Sequence, residues 1–298
     1  MPLVSVITGV HNAGDYLART VASILRQTCA DFEYLVADDG STDGCLDFLR
    51  TLGDPRLRVL KLGKVGRSQA LNAALAEAKG EFAAILDADD LALPDRLERQ
   101  TALMRADPEL TVAGSSCLFM DEQDRSTDVY YVPAGHSCIL WQLLFHNPFV
   151  HSSAMFRLDA VRSLGLAYEP DLEPSEDYEF LARLALAGKA ANDERPVVRY
   201  RMHQRQLSQT RQQLQLDNAE RIHRRNLGRL GCGEAPPERA RDWLWGLPVT
   251  PKPEHAPLLE YYLRMLGAVE GRPHVRLQDL AFLRASLERD LRALGRGL

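Results

Sequence analysis

Three short acidic segments are the residues of this 298-residue chain best suited to chemistry. The run Asp87-Ala88-Asp89-Asp90 directly follows the apolar residues 82–86. A second pair, Asp38-Asp39, follows the apolar residues 34–37, and a third, Glu176-Asp177, lies far downstream. Carboxylates at the end of a buried strand are costly unless a cation meets them, and a divalent metal that carries a diphosphate is such a partner. The pattern therefore favours a nucleotide-sugar site that uses Mn²⁺ or Mg²⁺.

The elements that must position these segments alternate between strand and helix patterns from the start of the chain. Strands are predicted over residues 3–8, 32–37, 57–62 and 82–86, and helices over residues 15–27, 42–52 and 68–78. This succession predicts a mostly parallel sheet with right-handed crossovers, and such sheets bind ligands at the carboxyl ends of their strands. The first two acidic segments fall at that edge.

The second half of the chain gives a more mixed pattern. Further helices are predicted over residues 94–106, 137–145 and 175–187, strands over residues 110–119 and 196–200, and a hairpin or loop over residues 121–135. From about residue 206 the strand pattern disappears and helical patterns remain. We therefore predict one domain over residues 1–205 and a helical extension over residues 206–298.

Composition excludes several classes of protein. A net charge of −5 and a pI of about 5.9 argue against a dedicated nucleic-acid binder, whose affinity would depend on a basic face. Five scattered cysteines, an odd number with no Cys-x-x-Cys pair, favour a reduced chain. No segment approaches the length that spans a bilayer. We expect a cytoplasmic protein, and any membrane contact would be peripheral, on the inner face.

Taken in order, the motifs resemble those of a family 2 glycosyltransferase of GT-A fold, over roughly residues 3–208. They are Val4-Ser5-Val6-Ile7-Thr8, Asn12, Leu17, Ser23-Ile24-Leu25, Gln27-Thr28, Asp38-Asp39-Gly40-Ser41, Asp43, Asn72, Gly80-Glu81, Leu86-Asp87-Ala88-Asp89-Asp90, Glu176-Asp177, Leu181, Arg183, Leu184, Tyr200-Arg201 and His203. The resemblance implies an α/β, Rossmann-like GT-A fold, with a mixed, mostly parallel sheet flanked by helices and a helical carboxyl-terminal extension. It also implies metal-dependent, inverting transfer of a hexosyl or N-acetylhexosaminyl group. The implied donor is a UDP-sugar, and the implied acceptor is a glycan or lipid-linked molecule of bacterial surface polysaccharide synthesis.

The resemblance assigns residues to the donor side. Asp89 is the metal ligand, joined by His203, and Asp87 approaches the ribose or diphosphate. Asp39 accepts a hydrogen bond from the uracil imide, with Asp38 beside it. The other donor-side residues line the base and ribose or reach the phosphates: Thr8, His11, Asn12, Arg67 and Arg201. The family usually carries an aromatic residue where His11 stands, and this difference puts the choice of nucleobase in doubt.

Plainer interpretations of the same segments stay open. Residues 87–90 would also serve as a solvated loop that caps the next helix, and Asp39-Gly40 as an Asx turn. Residues 63–68 are as well explained by a glycine-bearing turn as by a phosphate contact.

The acceptor side is assigned in the same way. An inverting transfer needs a carboxylate that takes the proton of the acceptor hydroxyl, and Asp177 aligns with that base of the family. Glu176, Trp141, Asn147 and His151 are expected to face the acceptor. The alternatives are an acidic helix start that favours the helix dipole, and a Trp and a His that simply pack in the core.

The carboxyl-terminal residues leave two interpretations open. Residues 211–229 carry five arginines against two acids, a local charge of +3. Such a helix would rest on anionic lipid, where a polyprenyl-linked acceptor is found, or would dock its apolar residues on the catalytic domain. Residues 258–266 and 275–294 look amphipathic and offer a homodimer contact.

The alternatives from other classes are a sugar nucleotidyltransferase and a catalytically silent glycan-binding protein. A sugar nucleotidyltransferase needs a triphosphate loop near the amino terminus, and the chain shows no convincing one. A catalytically silent glycan-binding protein would have little use for every acidic segment.

Overall fold

The computed structural model describes residues 1–203, 211–231 and 256–294. The predicted boundary between residues 205 and 206 and the cysteine Cys232 lie outside these ranges. The four described cysteines are free thiols: Cys29, Cys45, Cys117 and Cys138.

The first half of the chain builds the parallel part of one sheet. Its strands are β1 (Val4–Val10), β2 (Phe32–Asp38), β3 (Leu57–Lys61) and β4 (Phe82–Ile85). The crossover helices are α1 (Tyr16–Leu25), α2 (Leu49–Leu52) and α3 (Arg67–Glu77). The strands lie in the order β3-β2-β1-β4, and every neighbouring pair is parallel. The predicted elements of this half are confirmed apart from the first part of one helix.

The helix predicted over residues 42–52 is shorter than expected. Only Leu49–Leu52 is helical, and residues 43–48 form turns. Gly44 takes a left-handed φ of 77°, and the Asp43 carboxylate accepts hydrogen bonds from the amides of Cys45 at 3.1 Å and Gly14 at 2.9 Å. Side chains that bind nearby amides in this way compete with the helical pattern, so the helix starts late.

The second half completes a mixed sheet. It contributes β5 (Leu91–Ala92), β6 (Leu110–Met120), β7 (Ser126–Tyr130), β8 (Met155–Arg157) and β9 (Lys189–Arg201). Helices α4 (Arg96–Ala106), α5 (His136–Gln142), α6 (Leu158–Ser163) and α7 (Glu176–Ala187) lie between them. The sheet order is β3-β2-β1-β4-β8-β6-β9-β5, with β7 on β6 as the predicted hairpin. Strand β6 is parallel to β9, whereas β8 is antiparallel to both β4 and β6.

Three helices follow the sheet: α8 (Gln212–Leu230), α9 (Ala256–Glu270) and α10 (Leu277–Ala293). Each buries apolar residues completely, among them Ile222 of α8, Met265 of α9 and Leu287 of α10. These residues belong to the same apolar cluster as Ile7 of β1. These three helices therefore cover one face of the sheet, while a second apolar cluster lies on the other face. None of the described helices is long and apolar enough to cross a membrane.

The arginines of α8 support the docked interpretation of this helix. Arg225 pairs with Glu169 at 2.7 Å, and Arg229 pairs at 2.7 Å with Glu179, whose side chain is fully buried. Arg221 donates a hydrogen bond to the backbone oxygen of Asp171 at 3.0 Å. Three of the five arginines in residues 211–229 therefore contact groups of the sheet domain, whereas Arg211 and Arg224 are exposed.

Candidate active site

The acidic loop after β4 lies at the carboxyl edge of the parallel strands. The Asp87 carboxylate accepts a hydrogen bond from Arg67 at 2.6 Å and lies 3.2 Å from Nδ1 of His151. Burial raises the pKa of Asp87, but the charges of Arg67 and His151 outweigh it and hold that pKa below its usual value. Asp87 is therefore an anion whose charge is already partly balanced by the protein.

Asp89 is the more open carboxylate of the loop. Its side chain is 28% exposed, and its Oδ2 lies 2.9 Å from Nε2 of His203. The imidazole of His203 in turn lies beside the ring of Tyr16, with 5.6 Å between centroids. The predicted pair of Asp89 and His203 is thus brought together, although β4 and the end of β9 are far apart in sequence.

Asp90 and Arg201 form the buried support behind the loop. Asp90 is 1% exposed, accepts a hydrogen bond from the Arg201 amide at 2.7 Å and bonds to Ser152. Burial, followed by the charges of the two neighbouring aspartates, raises the pKa of Asp90 well above its usual value. A carboxyl group in this state supports the loop and does not serve as an open ligand.

Arg201, the residue predicted to reach the diphosphate, contacts protein groups in this structure. Arg201 is fully buried. Its Nε donates to the backbone oxygen of Asp89 at 2.8 Å, and another guanidinium nitrogen donates to that of Asp121 at 2.9 Å. The guanidinium also lies 4.4 Å from the ring centroid of Tyr16. Arg201 therefore supports the acidic loop, because its guanidinium nitrogens already contact protein groups.

The second acidic turn is tied to the loop that follows β3. Oδ1 of Asp39 accepts hydrogen bonds from the amides of Val65 at 2.6 Å and Gly66 at 2.8 Å. Oδ1 of Asp38 accepts one from the Ser41 amide at 2.8 Å, so the turn is built on Asp38. A nucleobase bound here would therefore meet the Asp39 carboxylate, which two backbone amides hold in place.

His11 and Asn12 lie at the exposed end of β1, whereas Thr8 does not. Nδ1 of His11 lies 2.8 Å from the backbone oxygen of Asp39, and Asn12 takes a left-handed φ of 52°. Thr8 is fully buried, and its hydroxyl lies 3.0 Å from the hydroxyl of Tyr34. Thr8 therefore lies inside the sheet domain and not at the exposed end of β1, and its contact with the nucleobase or ribose stays a prediction.

Arg67 links the donor and acceptor halves of the site. It is the first residue of α3, with Nε 2.8 Å from Glu176 and a terminal nitrogen 2.6 Å from Asp87. Burial lowers the pKa of Arg67, yet the two carboxylates raise it well above its usual value. Glu173 accepts a hydrogen bond from the Ser68 amide at 2.7 Å, so this helix start is already capped by a carboxylate. Of the predicted phosphate contacts near residue 67, the guanidinium is the stronger candidate.

The predicted base Asp177 is half-buried in the first turn of α7. Its Oδ2 accepts a hydrogen bond from the side-chain amide of Asn147 at 2.9 Å. Glu176 is 3% exposed, and its second oxygen, Oε2, is buried without a hydrogen-bond partner. Burial raises the pKa of Glu176. The two neighbouring carboxylates thus differ: Glu176 holds Arg67, and Asp177 faces the more open side with one amide to orient it.

Two residues expected on the acceptor side lie elsewhere. His151 is 7% exposed and bridges Asp87 and the hydroxyl of Tyr168, which lies 3.1 Å from Nε2. It therefore belongs to the donor side. The Trp141 ring packs in an aromatic cluster, 5.0 Å from Phe145 and 6.3 Å from Tyr262 of α9, so it is a packing residue.

Sequence reasoning missed two aromatic residues of the site. Tyr16 lies between His203 and Arg201, and its position at the start of α1, beside the end of β1, was a signal that could have found it. Tyr168 contacts His151 from a segment without any motif, so no signal in the sequence marked it.

The donor set fits a divalent ion that shares its coordination with a diphosphate. Within residues 1–203, 211–231 and 256–294, no group of three or more His, Cys, Asp and Glu side chains is placed to hold a metal. Asp89 and His203 offer one carboxylate and one imidazole, both suitable for Mn²⁺. Metals that act on nucleotides are often held by one or two protein ligands plus phosphate oxygens.

The chain is also similar in sequence to known glycosyltransferases. The sequence model of the family described as "Glycosyl transferase family 2" matches residues 5–165. An uncharacterized glycosyltransferase of Haemophilus influenzae is 30% identical over 237 residues, which cover 76% of this chain and 73% of that protein. A chondroitin synthase of Pasteurella multocida is 28% identical over 63% of this chain, but the match covers only 19% of the synthase.

Solved structures share the fold. S. aureus TarS 1-349 in complex with UDP-GlcNAc superposes with a TM-score of 0.58 at 16% identity, covering 98% of this chain and 88% of that chain. The mannosyltransferase PcManGT from Pyrobaculum calidifontis, in complex with GDP-Man and Mn²⁺, gives 0.52 at 22% identity, covering 98% and 80%. The predicted GT-A-type architecture, with a mixed sheet, flanking helices and a helical carboxyl-terminal segment, is confirmed.

Proposed function

Because the chain belongs to glycosyl transferase family 2, we propose that it transfers a sugar from a nucleoside diphosphate sugar to a glycan or lipid-linked acceptor with inversion. The observation that carries this proposal is the position of Arg67. Its guanidinium contacts both Asp87, on the donor side, and Glu176, the neighbour of the candidate base. One side chain thus sets the distance between the two halves of the site.

We propose that the donor is a UDP-sugar that carries a hexosyl or N-acetylhexosaminyl group. Asp39, held by the amides of Val65 and Gly66, offers a fixed carboxylate to an imide N–H of the base. His11 lies beside it and offers an imidazole face. TarS was solved with UDP-GlcNAc, which supports a uridine donor, whereas PcManGT was solved with GDP-Man.

The proposed reaction is a single displacement. The acceptor hydroxyl oxygen attacks the anomeric carbon, Asp177 takes the hydroxyl proton, and the bond between that carbon and the diphosphate oxygen breaks. Attack from the face opposite the diphosphate inverts the configuration. Asn147 donates to Oδ2 of Asp177 at 2.9 Å and so orients the carboxylate. Arg67 offers positive charge where the leaving diphosphate gains negative charge.

We propose that Asp89 and His203 hold a divalent ion, Mn²⁺ or Mg²⁺. When bound, such an ion neutralises charge on a leaving diphosphate as a Lewis acid. The chain's own part is to hold these two ligands in place through Arg201 and Tyr16. The Mn²⁺ in the PcManGT structure supports this choice of cofactor.

We propose bacterial surface polysaccharide synthesis as the setting. The chondroitin synthase of Pasteurella multocida and the putative teichuronic acid glycosyltransferase TuaG of Bacillus subtilis are relatives named for polysaccharides. The chain spans 19% and 42% of those proteins, so their activities support the class of acceptor only.

The thermal shifts given by UDP, by nucleotide sugars and by a nucleoside triphosphate test the proposal. UDP with Mn²⁺ should raise the melting temperature of the full chain, and a chelator should remove most of that gain, because ligands that bind only the folded state stabilise it. Asp89→Ala should lose the metal-dependent part of the shift while the protein stays folded. Stabilisation by a nucleoside triphosphate, with none by any nucleoside diphosphate sugar, would reject the proposed donor class.

A further inference from the structure

A second cleft lies between helix α1 and the strands β5 and β9. Its volume is about 520 Å³, within the range of ligand pockets. Three arginines line it, Arg19 and Arg26 from α1 and Arg199 from β9, together with the single carboxylate Asp124. The lining thus carries a charge of +2 in a protein whose net charge is −5.

Two of these arginines have no partner within the part of the chain that the structure describes. Arg19 pairs with Asp124 at 3.1 Å, but the guanidinium groups of Arg26 and Arg199 make no ion pair or hydrogen bond with described residues. The Nε of Arg199 is buried and has no hydrogen-bond acceptor. A buried donor without an acceptor is costly, and an ordered water or a bound anion would satisfy it.

The cleft adjoins the active site through Asp124. One oxygen of Asp124 accepts from Arg19, and the other pairs with Arg201 at 2.5 Å. Arg201 in turn holds the backbone of Asp89. From Ala18 to Arg26 the lining follows α1 and the residue after its end, eight residue steps or about 12 Å at 1.5 Å per residue. The cleft is therefore elongated. One end lies at Asp124, which pairs with Arg201, the residue that supports the acidic loop.

We propose that this cleft binds an acidic glycan, a chain that bears carboxylate or phosphate groups. Arg26 and Arg199 are placed to meet successive anionic groups, and guanidinium is suited to both carboxylate and phosphate. A single small anion would not account for an elongated cleft with two unpaired guanidinium groups.

A glycan fits this surface better than a membrane does. The cleft is concave, and Ser23 and Asp124 add polar groups to its wall. Its apolar lining residues, such as Leu91, Leu93 and Pro94, lie within the cleft. The large apolar side chains that are exposed on the surface of the described residues, such as Leu277 and Phe282, lie outside it. A lipid-facing surface would combine its cations with such side chains.

Direct binding by the purified full chain tests the proposal without any need for transfer. The probes are a short hyaluronan oligosaccharide, a glycerol-phosphate oligomer, a neutral malto-oligosaccharide of similar length, inorganic phosphate, and vesicles of phosphatidylglycerol. The variants are Arg26→Gln, Arg199→Gln and the double change. Arg211→Gln is the control, because Arg211 is exposed and lies outside the cleft. The thermal shift given by UDP and Mn²⁺ is measured on every variant.

The expected result is binding of at least one acidic oligomer, with affinity falling about tenfold or more in the double variant and less than about twofold in Arg211→Gln. The neutral oligosaccharide should bind far more weakly, and the UDP shift should not change. Arg26→Gln alone, an exposed change on α1, keeps the test valid if the variant at Arg199 does not fold.

Four results would overturn the proposal: no binding of either acidic oligomer, equal losses in the control, binding of inorganic phosphate only, or arginine-dependent binding to vesicles only. Failure of the proposed function would look different. Acidic oligomers would still bind in an arginine-dependent manner while no nucleotide sugar was used.

Discussion

At the scale of single residues, the site depends on unequal treatment of similar side chains. Asp87, Asp89 and Asp90 are neighbours, yet the first is paired with Arg67, the second faces His203, and the third is buried. Glu176 and Asp177 differ in the same way, since only Glu176 is paired with an arginine. Side chains of the same chemical type therefore differ in charge state and contacts once the chain is folded. Neighbouring residues and burial set the charge of each carboxyl group.

Replacement of Asp177 by Asn tests the assignment of the base. The change preserves shape but removes the oxygen that accepts the proton, so transfer should fall by about two to four orders of magnitude. Donor and metal binding should change little, because Asp177 contacts neither Asp87 nor Asp89 in the hydrogen bonds described. Rates of transfer and the donor-induced thermal shift check both points. Asp159→Asn is the matched control, since Asp159 is an exposed acid at the start of α6. Normal transfer by Asp177→Asn would show that another group takes the proton.

His136 should make the protein less stable in mild acid. Its Nδ1 accepts a hydrogen bond from the Ala190 amide at 3.1 Å, which requires the neutral ring. Burial, with added repulsion from His274, Lys189 and Arg272, lowers the pKa of His136 to about 4. The unfolded chain, with a pKa of about 6.5, therefore binds the proton first as pH falls, and stability is lost between about pH 6.5 and 4. The loss from this group is at most about 3 kcal/mol.

Denaturant unfolding at a series of pH values measures this effect. His136→Asn should flatten the acid side of the stability curve, because the Asn oxygen accepts from Ala190 and does not titrate in this range. His11→Asn, a change at an exposed histidine, should leave the curve as it is. A curve that His136→Asn does not alter would assign the acid sensitivity to other groups.

At the scale of elements, the placement of the base depends on three helices that meet at residues 172–175. The Ser68 amide of α3 donates to Glu173, and the buried side chain of Asn218 on α8 donates to the backbone oxygens of Leu172 at 2.9 Å and Glu173 at 3.0 Å. Helix α7, with Glu176 and Asp177, begins directly afterwards. Helix α8 therefore positions the start of α7, the helix that carries the proposed base.

Asn218→Leu tests this positioning role. It removes both hydrogen bonds and leaves two carbonyl groups unsatisfied, so stability should fall by about 1–3 kcal/mol. We also expect kcat to fall while the KM for the donor stays nearly constant, because the donor-side residues lie on other elements. Gln213→Leu, an exposed change on the same helix, is the control. A loss of stability with unchanged kcat would reduce Asn218 to a packing residue.

The sequence was most informative where an element is long and apolar. Strands β1, β2 and β4 were predicted from largely apolar runs, and β2 and β4 carry the acidic turns at their carboxyl ends. Strands β5 and β8 have two and three residues, too short to show an alternation. The role of Arg201 was missed because it depends on the turn at residues 121–124, which no local pattern connects with β9.

At the scale of the whole molecule, the catalytic sheet and the carboxyl-terminal helices share one core. Tyr178 of α7 donates its buried hydroxyl to the backbone oxygen of Leu143 at 2.6 Å, and Asn226 of α8 donates to the same oxygen at 2.8 Å. Glu179, fully buried, is balanced by arginines of α7 and α8. Removing those helices would leave this carboxylate without two of its cations and would expose an apolar face.

A chain that ends at residue 203 should therefore fail to fold cooperatively. The expected result is aggregation or loss of a sharp thermal transition, and loss of the thermal shift given by UDP. A chain that ends at residue 294 is the control and should melt like the full protein. If the shorter chain still melts sharply and binds UDP, the helices after residue 203 are an independent addition to the sheet.

The attachment of residues 172–175 from two sides has a consequence for the entropy of the reaction. Because Glu173 is anchored by α3 and its backbone by α8, the freedom of this segment is given up when the chain folds. Little of it remains to be lost when the substrates arrive. If Asp177 is the base, as proposed, it is held at a fixed distance from Arg67, and the entropic part of the barrier is then lowered before either substrate is bound.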